Sequence, residues 1–220
     1  LFNGLNLAPA QLAGQLLAAG HEAKVIYFKE TVALPTEESD SYLELDYPGV
    51  GFVANGKQFS VDLYKPICDS EEQLLVEELK AFSPDCIGFT VFSGLIGICG
   101  EVNNRLRKYF DCPFIWGGPG PTLEPEKCIG FAEVLCINEG EAVIVELADR
   151  LDTGDDYSNI VGTWCRRGDE IIKNETRPLM ELNDLARPDW SSERYVYINE
   201  DKIVREYYPE NSRSYSIMTQ

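Results

Sequence analysis

Three short runs of the sequence carry residue types that can hold a bulky ligand. Thr90-Val91-Phe92-Ser93-Gly94-Leu95 is followed by Gly97 and Gly100, which places a hydroxyl beside bare backbone where a helix begins. Gly117-Gly118-Pro119-Gly120-Pro121-Thr122 holds three glycines and two prolines in six residues. Glycine lets backbone approach a ligand closely, and proline fixes φ and keeps such a loop rigid. Asn138-Glu139-Gly140-Glu141 opens a further apolar-periodic stretch, where carboxylates favour the positive end of a helix dipole and accept from free amides. Taken singly, each glycine is explained by turn geometry and each carboxylate by capping. Three such runs, each directly after a strand pattern, point instead to a ligand-binding edge, because in open parallel α/β sheets ligands lie outside the carboxyl ends of the strands.

Other chemistries find little support. His21 is the only histidine and no G-x-S-x-G occurs, so no nucleophile–base pair is visible. Glu139 and Glu141 could serve as general acid or base, but carboxylates at a helix start are more often caps. The seven cysteines are an odd number without C-x-x-C spacing, and several sit in apolar runs as small core residues do. A reducing cytoplasm is the expected location. With 37 acidic against 19 basic residues the formal charge is -18, a field that repels phosphate backbones and anionic membrane surfaces. Neither nucleic acid nor a membrane is an expected partner. The longest uncharged stretch, Cys86 to Gly100, falls short of the ~18 residues a spanning helix needs.

The elements that would position these loops alternate. Leu12, Ala13, Leu16 and Leu17 share a helical face that ends at Gly20, and a strand is expected over 23–28. Between 29 and 66 the periodicity weakens, and Asn55-Gly56 between two β-rich stretches predicts an inserted hairpin. A helix capped by Asp69 or Ser70 carries Leu75, Leu79 and Phe82, and Ser83-Pro84 ends it. A strand over 86–92, apolar on both faces, suits the middle of a parallel sheet. A helix with Ile98, Val102, Leu106 and Tyr109 follows, then strands over 114–116 and 134–137 and a helix with Val145, Ala148 and Leu151. Such alternation predicts an α/β three-layer sandwich of flavodoxin-like, Rossmann-like architecture around a central parallel sheet. One main domain over 1–153 is expected. From 154 to 220 the chain reads as a hairpin about Arg167-Gly168-Asp169 and then a polar, proline-punctuated linker that straps the domain, partly ordered. Leu1 falls within the patterned region, so the chain is expected to be a piece of something longer at its start and its end.

These residues resemble the cobalamin-binding domains attached to radical S-adenosylmethionine enzymes. Ser93-Gly94-Leu95 resembles the S-x-L motif of that family, Gly117-Gly118 its G-G motif, and Pro84-Asp85-Cys86-Ile87-Gly88 its P-D-x-[IV]-G approach to the S-x-L strand. Asn138-Glu139-Gly140-Glu141 is similar to G-E-G-E with Asn in the first place, and Gly20-His21-Glu22 to a G-H-E turn. Arg177-Pro178 and Arg187-Pro188-Asp189-Trp190 look like the family's linker, and Ile217-Met218-Thr219-Gln220 like the strand before a C-x-x-x-C-x-x-C loop. The similarity runs from about Leu7 to Gln220, and order and spacing, rather than any one short motif, make it specific.

The resemblance implies a corrinoid on the carboxyl edge of the sheet, its nucleotide tail between the Ser93 and Gly117-Gly118 loops. The residues implied to hold it are Ser93, Gly94, Leu95, Gly117, Gly118, Pro119, Thr122, Asn138, Glu139, Gly140 and Glu141. The family's D-x-H-x-x-G motif is absent, since 3–10 contains no His, so cobalamin would be bound without a protein imidazole on cobalt. His21, before the second strand, is expected at the opposite end of the sheet. The 4Fe-4S cluster and S-adenosylmethionine would belong to a radical SAM barrel C-terminal to this chain, which is the expected partner of this domain. No catalytic or metal-ligating residue is expected within the chain itself, and the small-molecule substrate is not indicated. The full-length protein would be a radical enzyme, a methyltransferase among the options. The alternative is a cobalamin-free domain that braces the barrel or gates its substrate.

Overall fold

The computed structural model describes residues 7–29, 50–54, 57–61 and 66–206. Helix α1 (Leu7–Ala18) leads into strand β1 (Val25–Phe28). Strands β2 (Val50–Ala54) and β3 (Lys57–Val61) pair antiparallel as the hairpin expected between 29 and 66, although the Asn55-Gly56 turn itself lies outside the described residues. Helix α2 (Asp69–Phe82) starts one residue earlier than expected, with Cys68 at the N-cap. Glu71 accepts from the Cys68 amide at 3.0 Å, satisfying one donor that a helix start leaves open. Ser83 ends α2 in the left-handed conformation at φ 57, its amide donating to Leu79.

Strands β4 (Ile87–Thr90), β5 (Phe114–Gly117) and β6 (Val134–Cys136) are parallel neighbours, as the alternating pattern predicts. Helix α3 (Ile96–Leu106) joins the first two and turns Ile98, Val102 and Leu106 inward. Tyr109 falls beyond the end of α3 and is exposed. Two short helical turns, α4 (Pro119–Leu123) and α5 (Pro125–Cys128), join β5 to β6. Helix α6 (Glu141–Thr153) follows and buries Val143 and Leu147, a stripe offset from the expected Val145, Ala148 and Leu151.

The sheets are mixed, which corrects the expectation of one central parallel sheet. Strand β7 (Thr163–Arg167) adds to β6 antiparallel and β8 (Glu170–Lys173) adds to β7, turning at Gly168 with φ 59. After α6, residues 154–162 carry the chain back to the carboxyl end of β6, where Ile137 donates to the Gly162 carbonyl at 2.8 Å, so β7 enters the sheet running against β6. Strand β1 does not join that sheet. It pairs in parallel with β9 (Tyr195–Asn199), which pairs antiparallel with β10 (Lys202–Arg205). Residues 154–206 therefore supply strands to two sheets and not only a strap. The expected strand at 217–220 lies outside the described residues.

The two faces of β4–β6 are read directly from strand alternation. Ile115, Val134 and Cys136 pack with Val143 and Leu147 of α6, while Trp116 and Leu135 pack with Val91, Cys128 and Ile129 on the other face. Phe114 continues that second face into a cluster with Leu75, Leu79, Ile98, Val196 and Ile198. Helices thus cover both faces of the parallel strands, an α/β layering compatible with a Rossmann-like fold. Among the described residues no helix is long and apolar enough to cross a membrane.

Candidate functional site

Parallel pairing of β4, β5 and β6 brings the three loops after them to one rim. The first loop leaves β4 through Val91, fully buried, and turns at Ser93–Leu95 in a single 3-10 turn. Ser93 and Gly94 are exposed, whereas Leu95 is buried in the core below. A Cβ added to Gly94 or Gly97 would meet nothing within 4 Å, so backbone here is open to an incoming group. The Lys127 ammonium first, and the nearby Ser93 hydroxyl after it, hold the Glu124 carboxyl below its ordinary value.

The second loop is knitted to the first. Val91 donates to the Gly117 carbonyl and Gly120 donates to the Val91 carbonyl, both at 2.8 Å. A Cβ on Gly118, whose φ is 97, would stand 3.0 Å from the Val91 oxygen, and one on Gly120 at the same distance. These two glycines are required where the two loops touch. Gly117 has more room, since its Cβ would meet only the Cys136 Cβ, at 3.6 Å. Pro119 occupies the first position of the short α4 turn, after Gly118 at the N-cap, and is exposed.

Thr122 links the second loop to the third, its hydroxyl donating to the Gly118 carbonyl at 3.0 Å and accepting from the Asn138 amide at 3.0 Å. Asn138 adopts φ 70, a left-handed conformation that Asn tolerates well. Gly140 precedes α6 and lies against Leu12 of α1, with Glu141 in the first turn of α6. Glu139 is exposed and its Oε2 accepts from the Met180 amide at 2.9 Å, so the chain after β8 passes over this loop.

Ser93, Gly94, Gly117, Gly118, Pro119, Thr122, Asn138, Glu139, Gly140 and Glu141 thus share one rim, and of the expected set only Leu95 points into the core. Sequence reasoning passed over Val91, Glu124 and Met180, the groups that engage Gly118, Ser93 and Glu139. Val91 carries no signal apart from its place between a strand and a Ser-Gly turn. Met180 is flagged only by Pro178 just before it.

His21 lies elsewhere. Its ring nitrogens face Asp149 Oδ1 at 3.1 Å and Asp152 Oδ2 at 3.3 Å. Asp149 is eight residues along α6 from Glu141, about 12 Å at 1.5 Å per residue. No imidazole therefore reaches the described rim. No cluster of three or more metal-ligating side chains occurs among the described residues.

No family model matches the chain, and no curated protein matches it significantly. Two solved structures of the radical S-adenosylmethionine methyltransferase TsrM from Kitasatospora setae are similar, each with a TM-score of 0.45. The one with tryptophan substrate and the analogue aza-SAM is 24% identical over 49% of this chain and 22% of that one. The one with cobalamin and a 4Fe-4S cluster is 23% identical over 55% of this chain and 23% of that one. The chain spans less than a quarter of the length of either.

Proposed function

We propose that this chain is the cobalamin-binding module of a radical S-adenosylmethionine enzyme, presenting a corrinoid to a barrel that carries the 4Fe-4S cluster and S-adenosylmethionine. What carries the reading is the set of motifs at Ser93, Gly117-Gly118 and Asn138–Glu141, spaced as in that family and lying on three adjacent parallel strand ends. A bound corrinoid supplies cobalt-centred methyl transfer or related radical chemistry, and the protein supplies orientation and exclusion of water.

The rim residues fit a corrinoid held without an axial imidazole. Open backbone at Gly94 and Gly97 admits a bulky group. The Ser93 hydroxyl can rotate from Glu124 to a ligand heteroatom. Thr122 fixes the second and third loops relative to each other, so the platform is rigid before a ligand arrives. Glu139, Glu141 and the Asn138 side chain offer acceptors and a donor toward amide groups of the ligand.

Titration with hydroxocobalamin tests the reading. The expected result is a visible-band shift at micromolar corrinoid together with a higher unfolding temperature. Neither change at 100-fold excess over the protein would overturn it.

One observation favours a second reading, a cobalamin-free domain that braces the barrel or gates its substrate. Contact between Val91 and Gly118 and Gly120 gives those glycines a structural purpose without any ligand. The same titration separates the two.

A further inference from the structure

The three most exposed of the large apolar side chains among the described residues are Leu123, Leu179 and Leu182, at 72%, 72% and 61%. Hydrogen bonds of neighbouring residues tie the segments that carry them to the same rim. Leu123 ends α4 next to Thr122, which bonds to Asn138, and Leu179 adjoins Met180, which bonds to Glu139. Phe92, also exposed, lies on the first loop of the same rim. A concentration of apolar surface on one rim marks an interaction site and not scattered surface residues.

The segment that carries Leu179 and Leu182 is tied down on both sides. Upstream, Gly162 donates to the Glu175 carbonyl at 2.7 Å, Arg177 donates to the Val161 carbonyl at 3.0 Å, and the Arg177 guanidinium pairs with Glu146 of α6. Downstream, Gln11 of α1 donates to the Ala186 carbonyl at 2.8 Å and Asp189 donates to the Ala10 carbonyl at 2.9 Å. Gly14 is essential there, because a Cβ would fall 2.1 Å from the Arg187 oxygen. Between these anchors the segment folds on itself in one 3-10 turn, Leu182–Asp184. The hydrogen bond that the described structure gives between its middle and the rim is Met180 to Glu139.

We propose that residues 178–185 form a strap hinged at Arg177 and Ala186, latched by the Glu139–Met180 bond, whose leucines close over a ligand on the rim. That the ligand is a corrinoid rests on the function proposed above. A macrocycle with broad apolar faces and amide edges suits a site with Phe92 and Leu123 on the rim and Leu179 and Leu182 on the strap. A strap anchored at both ends closes with little loss of conformational freedom, since only the few residues between the anchors must reorient.

Hydrogen–deuterium exchange tests the latch in the ligand-free chain. Glu139→Ala is expected to raise exchange across 179–184 roughly tenfold, while β5, β6 and the anchor at 186–189 keep wild-type rates. Unchanged exchange across 179–184 overturns the latch. Closure is tested with hydroxocobalamin: binding should slow exchange across 179–184, and Leu179→Ser with Leu182→Ser should weaken affinity at least about fivefold. Hydroxocobalamin that binds wild type with neither effect overturns the strap and leaves the cofactor reading standing. Hydroxocobalamin that does not bind wild type overturns the cofactor reading and closure on a corrinoid with it, and the ligand-free exchange still decides the latch.

Discussion

Lys29 Nζ lies 2.6 Å from Glu71 Oε2 in a place where the two side chains are only 3% and 0% exposed. Lys29 also donates to the Pro66 carbonyl at 3.0 Å, and Glu71 accepts from the Cys68 amide at 3.0 Å and the Glu200 amide at 2.7 Å. The end of β1, the start of α2 and the turn of the β9–β10 hairpin therefore meet at one dry polar knot. Burial alone would raise the Glu71 pKa. The Lys29 hydrogen bond, the two amides and the Lys29 charge outweigh burial and hold it below its ordinary 4.5.

Lys29→Met leaves a buried carboxylate without its cation, and should cost about 3–5 kcal/mol at pH 7. The pH dependence should change sign for this group. In the wild type a depressed folded pKa gives stability that is present above 4.5 and is lost as pH falls through the folded value. In the variant burial dominates, the folded pKa rises above the unfolded one, and the deficit shrinks as acid protonates Glu71. Urea unfolding of both proteins at pH 7 and pH 4 reads this out, and an equal deficit at the two pH values would contradict it.

The knot also shows why part of the fold was legible in sequence and part was not. Helices α2 and α3 and strands β4 to β6 follow from local periodicity, because each buries its apolar stripe against its chain neighbours, whereas α6 was legible as a helix but buries Val143 and Leu147 in place of the expected stripe. Strand β9 shows alternation at Tyr195, Val196 and Ile198, but its partner β1 lies about 170 residues away in sequence. Nothing local to 195–199 reports that pairing, and Pro188 and the polar run before it read as linker. The antiparallel β6–β7 pair was hidden similarly, since the 163–173 hairpin was visible and its docking edge was not. At the rim, the glycine loops were visible from composition. Their mutual contact through Val91 was not, since a glycine needed by a neighbouring loop and one needed by a ligand look alike in sequence.

Gly94 and Gly118 separate those two needs. At Gly94 a Cβ meets nothing within 4 Å and φ is not left-handed, so Gly94→Val should unfold within about 0.5 kcal/mol of wild type and weaken only ligand binding. At Gly118 the φ of 97 and the Val91 oxygen 3.0 Å from the new Cβ both oppose a side chain. Gly118→Val should lose about 2–4 kcal/mol even without ligand. Paired thermal unfolding and hydroxocobalamin titration check both. Equal stability of the two variants would mean that the loops do not meet as described.

Asn103 is buried and bridges α3 to the sheet, donating to the Phe131 carbonyl at 2.9 Å and accepting from Trp116 Nε1 at 3.2 Å. Phe131 stacks on Trp116 at 5.1 Å between centroids. Asn103→Leu leaves the indole N–H and the carbonyl unpaired, and should cost about 1–3 kcal/mol. Because Trp116 carries the β5 end that leads into the Gly117-Gly118 loop, its near-ultraviolet circular dichroism should change as well. A variant with wild-type stability and an unchanged tryptophan signal would show that the bridge is dispensable.

The cysteines offer a test of the core independent of any ligand. Burial is the first cause that pushes Cys86, Cys99 and Cys136 up to about 12, with nearby Cys112, Cys128 and Glu141 respectively adding to it. At pH 8 a thiol of that kind is about one part in ten thousand thiolate, and the thiolate is the reactive form. Cys68 is exposed at the start of α2. Iodoacetamide at pH 8 should therefore modify Cys68 well before Cys86, Cys99 or Cys136, and all seven should react in urea. Peptide mass spectrometry gives the order. Labelling of Cys136 as fast as Cys68 would open the region between β6 and α6, and would remove the rigid base on which Asn138 and Glu139 are placed at the rim.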